Sequence, residues 1–285
     1  MDFLLRIVEF FLAFVLSFFG GTGGDTVAHS YQLADNISAC ELRVHYIDVG
    51  QGDCIFAELP GGRSMLIDAG TNDSVATVCD YIDAIGEDTL DYVIATHPHA
   101  DHIGGMDGVL DEFDVGTFYM PDVQSNTRTF ESMLDSLETS DAKVIKAEAG
   151  VVVCEEDNLK IQLIAPTEDY YDEINDYSAV VKLTYGETDF LFMGDAEKYA
   201  ENKITADVSA DVLKVGHHGS DTSSGEKFLK RVNPSCAVIS AGRDNDYGHP
   251  HREVIDRLNK RNIKIFRTDL LGTVVIGSDG ENIEY

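Results

Sequence analysis

The sequence predicts an α/β fold of two mixed β-sheets packed face to face, with helices on the outer faces. Two observations predict it. From Glu41 onward, short β-rich runs alternate with helix-length amphipathic runs, and several strand runs are apolar without interruption, as strands covered on both faces are. With 44% hydrophobic residues among 285, the chain has the apolar content of a domain with a sizeable core. No repeat or low-complexity tract interrupts residues 41–285, which read as one domain behind an N-terminal hydrophobic segment and linker over residues 1–40.

The first three strand runs, LRVHYIDVG, DCIFAELP and SMLIDAG, are joined by Gly-containing turns and should pair as a β-meander. Ser74 to Ile85 carries a helical apolar pattern behind a serine suited to capping, and Asp91 to Thr96 is a short buried strand run. Ile103 to Leu110 reads as helix despite its glycines, Gly116 to Met120 as a strand, and Thr127 to Leu137 as a clearer helix. Strands follow near 143–146, 151–154, 159–165, 179–186 and 189–193, then a helix near 196–204. A strand at 211–215, a helix near 225–232, a strand at 235–240, a helix at 251–261 and strands at 263–267 and 273–277 complete the pattern.

Acidic residues outnumber basic ones by 51 to 21, for a formal charge of −30. Such a surface repels the phosphate backbone of nucleic acid at long range, which excludes non-specific coating of DNA. A phosphate-bearing substrate stays open, because divalent cations in a site invert the local field. The five cysteines, Cys40, Cys54, Cys79, Cys154 and Cys236, form no CxxC pair and no framework spacing. Cys54, Cys79 and Cys236 sit among apolar residues and read as small core residues, while a disulfide between Cys40 and Cys154 stays open. Residues 3–19 are apolar except for Arg6, Glu9 and Ser17, and a glycine-rich stretch follows at 20–25. The length suits a signal-peptide core, with small residues for cleavage near Ala28 and Ser30, so the expectation is export or membrane anchoring, with an amphipathic cytoplasmic arm as the alternative.

The chemistry concentrates after the strand ending at Thr96. His97, His99, Asp101 and His102 place three imidazoles and a carboxylate in the run HPHADH, a donor set suited to zinc, manganese or iron(II) and better matched to two adjacent ions than to one. Asp195, in FLFMGDAE, is delivered at the carboxyl end of an apolar strand; it either bridges two metals or caps a helix starting at Ala196. His217 and His218 follow another strand between Gly216 and Gly219: one should complete the second metal, and the other should face the substrate. His249, in YGHPH, is placed to act as hydrogen-bond donor or general acid, whereas His251 reads as a helix-start residue and His45 and His29 carry no chemistry.

Taken in order, YIDVGQGDC at 46–54, LIDAG at 66–70, HPHADHIGG at 97–105, NDYSAV at 175–180, FLFMGDAE at 190–197, VLKVGHHGSDTSS at 212–224, YGHPH at 247–251 and FRTDLLGTV at 266–274 resemble the metallo-β-lactamase superfamily. Within it they look most like the hydrolase domain of ComEC-like competence proteins and its free-standing relatives. The resemblance spans about residues 42–276 and implies an αββα four-layer sandwich with two divalent metal ions, Zn2+ or Mn2+, at one edge of the sheets. Carried over by position, His97, His99 and Asp195 would hold one metal, and Asp101, His102, Asp195 and one of His217 or His218, with His218 favoured, the other. Many superfamily members add a further histidine between the first motif and the bridging aspartate, but no histidine occurs from 103 to 216 here, and Asn175 to Ser178 stands in the equivalent stretch. Asp68 looks like the family's buried carboxylate that orients a metal-binding imidazole.

What the resemblance implies for activity is a dinuclear hydrolase, foremost a phosphodiesterase in which a hydroxide bridging the metals attacks phosphorus. Asp101 and Asp195 would orient that hydroxide, and His217 or His249, with Ser220 and the Gly219 backbone, would stabilise phosphoryl oxygens or protonate the leaving group. The expected partner is a phosphoester-containing substrate, nucleic acid or an envelope polymer bearing phosphocholine. The alternatives are hydrolysis of a lactam, lactone or thioester and a non-catalytic metal-binding envelope module. With at most one candidate membrane segment, the chain is expected to match the hydrolytic module of its larger relatives and not their transmembrane channel.

Overall fold

The computed structural model describes residues 35–285. The expectations for the apolar stretch at 3–19, the segment at 20–30 and His29 lie outside the described residues. Among the described residues no helix is long and apolar enough to cross a membrane.

The strands, in chain order, are β1 Leu42–Tyr46, β2 Cys54–Leu59, β3 Arg63–Ala69, β4 Thr89–Ile94, β5 Asp114–Met120, β6 Lys143–Lys146, β7 Val152–Glu156 and β8 Leu159–Ala165. They continue with β9 Val180–Tyr185, β10 Thr188–Phe192, β11 Val212–Lys214, β12 Cys236–Ile239, β13 Lys264–Arg267, β14 Val274–Ser278 and β15 Ile283–Glu284. One sheet runs β15-β14-β1-β2-β3-β4-β5-β6, and the other runs β13-β12-β11-β10-β9-β8-β7. In the first, β1 to β3 form the expected antiparallel meander and β3 to β6 are parallel. The second repeats the scheme, with antiparallel β7 to β10 followed by parallel β10 to β13.

The inner strands β11 and β12, with the Phe190–Phe192 end of β10, are covered on both faces, which is why these runs are mostly apolar without alternation, whereas the edge strands β6 and β13 begin and end on lysine or arginine. Between the sheets, Tyr46, Ile55, Ile67 and Ile94 of the first pack with Leu163, Phe190, Phe192, Val212 and Val238 of the second. On the outer face of the first sheet, helices Val75–Ile85, Met106–Glu112 and Arg128–Thr139 bury Val78, Ile82, Val109, Leu110, Phe130 and Met133. On that of the second, Lys198–Lys203, Glu226–Val232 and Arg252–Lys260 bury Ala200, Phe228, Leu229, Val254 and Leu258. The result is the four-layer αββα order, each fully buried large apolar side chain contributing about 1.5–3 kcal/mol.

Four local expectations are corrected. The helix over 103–110 is two pieces, Ala100–Ile103 and Met106–Glu112, because Gly104 and Gly105 press directly on the backbone around Thr71 and Ala69. Ser74 stands at the N-terminus of Val75–Ile85 without capping it; its hydroxyl bonds Thr71 Oγ1 at 3.0 Å instead. Asp195 does not cap a helix, since that helix begins at Lys198 with Glu197 before it. Cys40 and Cys154 are both free thiols, buried apart from any disulfide, as are Cys54 and Cys236, while Cys79 is half-buried.

Candidate metal centre

The centre is assembled where strands of both sheets end. β3 delivers Asp68, the loop after β4 delivers Thr96 to Asp101, β10 is followed by Gly194 and Asp195, β11 ends at Lys214 just before His217 and His218, and β12 is followed by Ser240. Carboxyl ends of parallel strands are where side chains converge in sheets of this kind. Three non-glycine residues at this edge hold left-handed backbone, Asp68, His217 and His218, with φ of +58°, +50° and +52°. Such conformations cost about 1–3 kcal/mol each and persist only where surrounding structure enforces them.

Asp195, buried, is the hub. Its Oδ1 lies 3.2 Å from His102 Nε2 and 3.5 Å from His218 Nε2, and its Oδ2 lies 3.8 Å from His97 Nε2 and 3.7 Å from His217 Nε2. His218 Nε2 is also 3.3 Å from Asp101 Oδ2 and 3.3 Å from His102 Nε2. His97 Nε2 faces His99 Nδ1 at 3.0 Å. The surroundings fix the rings from behind. Asp68 Oδ2 meets His102 Nδ1 at 2.7 Å while Thr96 donates its amide and hydroxyl to the same carboxylate at 2.8 and 2.7 Å. Asp68 thus backs His102 as the sequence led one to expect. Ser178 Oγ accepts the Asp195 amide at 3.0 Å and lies 3.4 Å from His97 Nδ1.

Charge at the edge is unbalanced toward the negative. Burial works against the charged imidazole of His102, yet Asp195, Asp68 and Asp101 together raise it well above its ordinary value. For His218 burial is likewise outweighed, by Asp195 and Asp53, and the ring is pushed up to about 10. His97 is instead held well below its ordinary value by burial and by His102, and His99 is lowered by burial. The carboxyl of Asp195 stays well below the usual carboxylate range despite burial because His102 and His218 face it. Two imidazoles are thus drawn into carrying positive charge that this ring of carboxylates demands.

The donor set fits divalent cations. Groups of His97, His102 and Asp195, and of Asp101, His102 and His218, each bring one ligand atom per residue within 4.8 Å of the others. Asp195 Oδ1 is buried without a hydrogen bond of good geometry, and imidazole nitrogens point at one another across 3.0 and 3.3 Å. Both arrangements are costly unless a cation lies between the atoms. Nitrogen and carboxylate ligands together suit zinc and manganese alike.

The other expected residues divide. His217 is partly exposed and held by Thr222 Oγ1 at 3.1 Å and Glu197 Oε1 at 3.3 Å, so His218 is the inward ring of the pair. His249 lies over both, with ring centroids 5.5 and 6.2 Å away and a buried Nδ1 without a partner. Burial, then His218 and His217, lower its pKa to about 4, which favours the neutral, hydrogen-bond-donating form of the ring. Ser220 spends its hydroxyl on Thr222 at 3.0 Å, and the Gly219 carbonyl accepts the His251 amide at 2.9 Å. Asn175 Nδ2 donates to Glu197 Oε1 at 3.1 Å, with its Oδ1 buried and unpartnered. His251 stands at the start of Arg252–Lys260, and His45 is buried between Tyr81 and Glu58, both as expected. Sequence reasoning missed Asp53 and Lys214. Asp53 lies in YIDVGQGDC and Lys214 in VLKVGHHGS, and a single charge at the end of an otherwise apolar run was the signal each offered.

A family model described as Metallo-beta-lactamase superfamily matches residues 47–243. The chain is 32% identical over 254 residues to ComE operon protein 3 of Bacillus subtilis (strain 168), covering 82% of this chain and 33% of that protein. It is 28% identical over 249 residues to Competence protein ComA of Neisseria gonorrhoeae, covering 83% of this chain and 32% of the other. It therefore spans about a third of the length of these curated relatives. Among solved structures, the fold is similar to the metallo-beta-lactamase fold protein YhfI from Bacillus subtilis, with a TM-score of 0.50 at 15% identity over 82% of this chain and 98% of that one.

Proposed function

This chain belongs to the metallo-beta-lactamase superfamily, and from that premise we propose that it is a phosphodiesterase working with two divalent cations, Zn2+ or Mn2+. The observation that carries the reading is the shared hub: Asp195 faces His97 and His217 with one oxygen and His102 and His218 with the other. His97 and Asp195, with His99 beside them, would hold one ion, and Asp101, His102, Asp195 and His218 the other. When bound, such ions supply Lewis-acid polarisation of a phosphoryl oxygen and activation of water at neutral pH.

The chain's own groups supply the rest. Asp101 and Asp195 are ionised acceptors able to orient an attacking water from two sides. His249, neutral, offers an N–H to an oxygen of the substrate, and a cation beneath it would favour the same neutral state. His217, anchored by Glu197, presents Nε2 toward the same space. The stretch Asn175 to Ser178 brings an amide and a hydroxyl where many superfamily members bring another imidazole, which leaves room for an anionic oxygen rather than a fully ligated ion.

We take a nucleic-acid phosphodiester as the substrate class, in line with the relative named Competence protein ComA; phosphocholine esters of an envelope polymer are the second class, and export or membrane anchoring is the proposed setting. The test is turnover of bis-p-nitrophenyl phosphate, single-stranded DNA, p-nitrophenylphosphorylcholine and nitrocefin by the zinc- or manganese-loaded chain. The expected result is hydrolysis of a phosphodiester that His97→Ala abolishes. Turnover of nitrocefin alone would move the reading to carbonyl hydrolysis, and tight metal binding with no turnover would make the chain a binding module.

A further inference from the structure

Behind His218 lies a buried ion pair that the reading above leaves unused. Lys214, fully buried at the end of β11, sends its ammonium to Asp53 Oδ2 at 2.7 Å and to the Val215 carbonyl at 3.1 Å. The other oxygen of Asp53, also buried, lies 3.2 Å from His218 Nδ1, which sits 3.1 Å from the Ser240 carbonyl. Asp53 and the carboxylates of Asp101 and Asp195 therefore occupy opposite nitrogens of one ring. The Asp53 amide donates to the Asp101 carbonyl at 3.1 Å, and Gly52 before it packs so closely on that carbonyl that a Cβ would collide with it. One residue thus touches the backs of two expected ligands.

Stability alone is a poor account of this pair. Two buried charges lose hydration that their attraction repays only in part, and apolar residues of similar volume often serve as well or better. Apolar residues could not set a carboxylate behind His218. Asp68 plays that part for His102 with Thr96 as its anchor; Asp53 has an ammonium as its anchor instead.

We propose that Lys214 and Asp53 are positioning residues for the metal centre. The ammonium pins the carboxylate behind the ring, and the carboxylate at 3.2 Å with the Ser240 carbonyl at 3.1 Å fixes the orientation of His218 from its Nδ1 side. Nε2 is thereby left free toward Asp101 and Asp195, where a divalent cation would be held. The proposal rests on the reading of this edge as a metal centre.

The experiment is a Zn2+ titration by calorimetry of the metal-stripped full chain, beside the double variant Asp53→Leu with Lys214→Met. His97→Ala and His218→Ala identify which binding event belongs to which side. The double variant is expected to stay folded with a melting temperature near that of the wild type. Its affinity should drop about 10–100-fold at the His218 side, with the His97 side unchanged. Unchanged binding at the His218 side, or equal weakening at both, overturns the proposal. Asp53→Asn keeps the volume and gives the same readout should the double variant not fold. In Zn2+-loaded Asp53→Asn, the His218 Nδ1–H resonance should shift from its wild-type position while that of His102 stays; an unshifted His218 resonance counts against the proposal. A wild type that takes up no Zn2+ overturns the metal reading itself, and the proposal with it.

Discussion

Replacing Gly194 with alanine measures how tightly the centre is built. Gly194 joins β10 to Asp195 with φ of +52°, and a Cβ there would meet Thr96 Cβ at 3.0 Å and Ser178 Cβ and Oγ at 3.1 Å. Two costs add. A left-handed alanine costs about 1–2 kcal/mol and a methyl forced into a packed interior about 1–3 kcal/mol, so unfolding free energy should fall by about 2–5 kcal/mol. In a domain of this size each kcal/mol shifts the melting temperature by about 2–4 °C, which gives a drop of roughly 4–20 °C. The crowding also reaches the site, because Thr96 clamps Asp68 and Ser178 holds the Asp195 amide. Cation affinity should therefore fall at least about tenfold. Gly62→Ala is the control: its φ is +75° with no atom within 4 Å of the added Cβ, so it carries the backbone cost alone. Thermal unfolding followed by circular dichroism, with Zn2+ titration of both variants, separates the two costs. If Gly194→Ala melts within about 2 °C of Gly62→Ala and binds Zn2+ as the wild type does, the packing argument is refuted.

Three further outcomes are expected. His249→Ala should lower kcat on bis-p-nitrophenyl phosphate by about 100–1000-fold while cation affinity, read by calorimetry, stays unchanged; a loss of metal would reassign the residue as a ligand. Glu201, whose carboxylate accepts the amides of Ser224 and Gly225, is pushed by burial from its ordinary 4.5 up to about 7. Between those values the folded chain binds the extra proton, so its contribution is present at low pH and lost as pH rises; relative to Glu201→Gln, the wild type should lose about 3 kcal/mol between about pH 4 and pH 8, read by urea unfolding. Adding Zn2+ at about 100 times its dissociation constant should raise stability by about 2.7 kcal/mol, and chelation should reverse it; a melting temperature indifferent to both would argue against a resident cation.

Much of the fold was legible because burial writes itself into sequence. Uninterrupted apolar strands such as FLF at 190–192 and CAVI at 236–239 announced sheets covered on both faces, and the two-sheet α/β architecture is the one found. Boundaries shifted where glycine acts through close packing rather than through turn formation, as at Gly104 and Gly105. In the site, the convergence of His97, Asp101 and His102 with Asp195 and His218 was legible because few structural roles demand that density of imidazole and carboxylate. Asp53 and Lys214 were not, since each shows only as a charge at an apolar strand end and nothing in the sequence joins the two across 161 positions. The state of His249 was likewise hidden, because it is set by neighbours that only the fold brings near.

The convergence of both sheets on one edge carries a consequence for how the protein matures. Asp53, Asp68, His97 and His102 arrive early in synthesis, Asp195 and His218 much later, and the Ser240 carbonyl later still. Asp195 and His218 belong to the later half, so a cation held at this edge would draw ligands from both halves of the chain and would find the full set only once the two have docked. Such a cation would act as a clasp that closes only on a finished molecule.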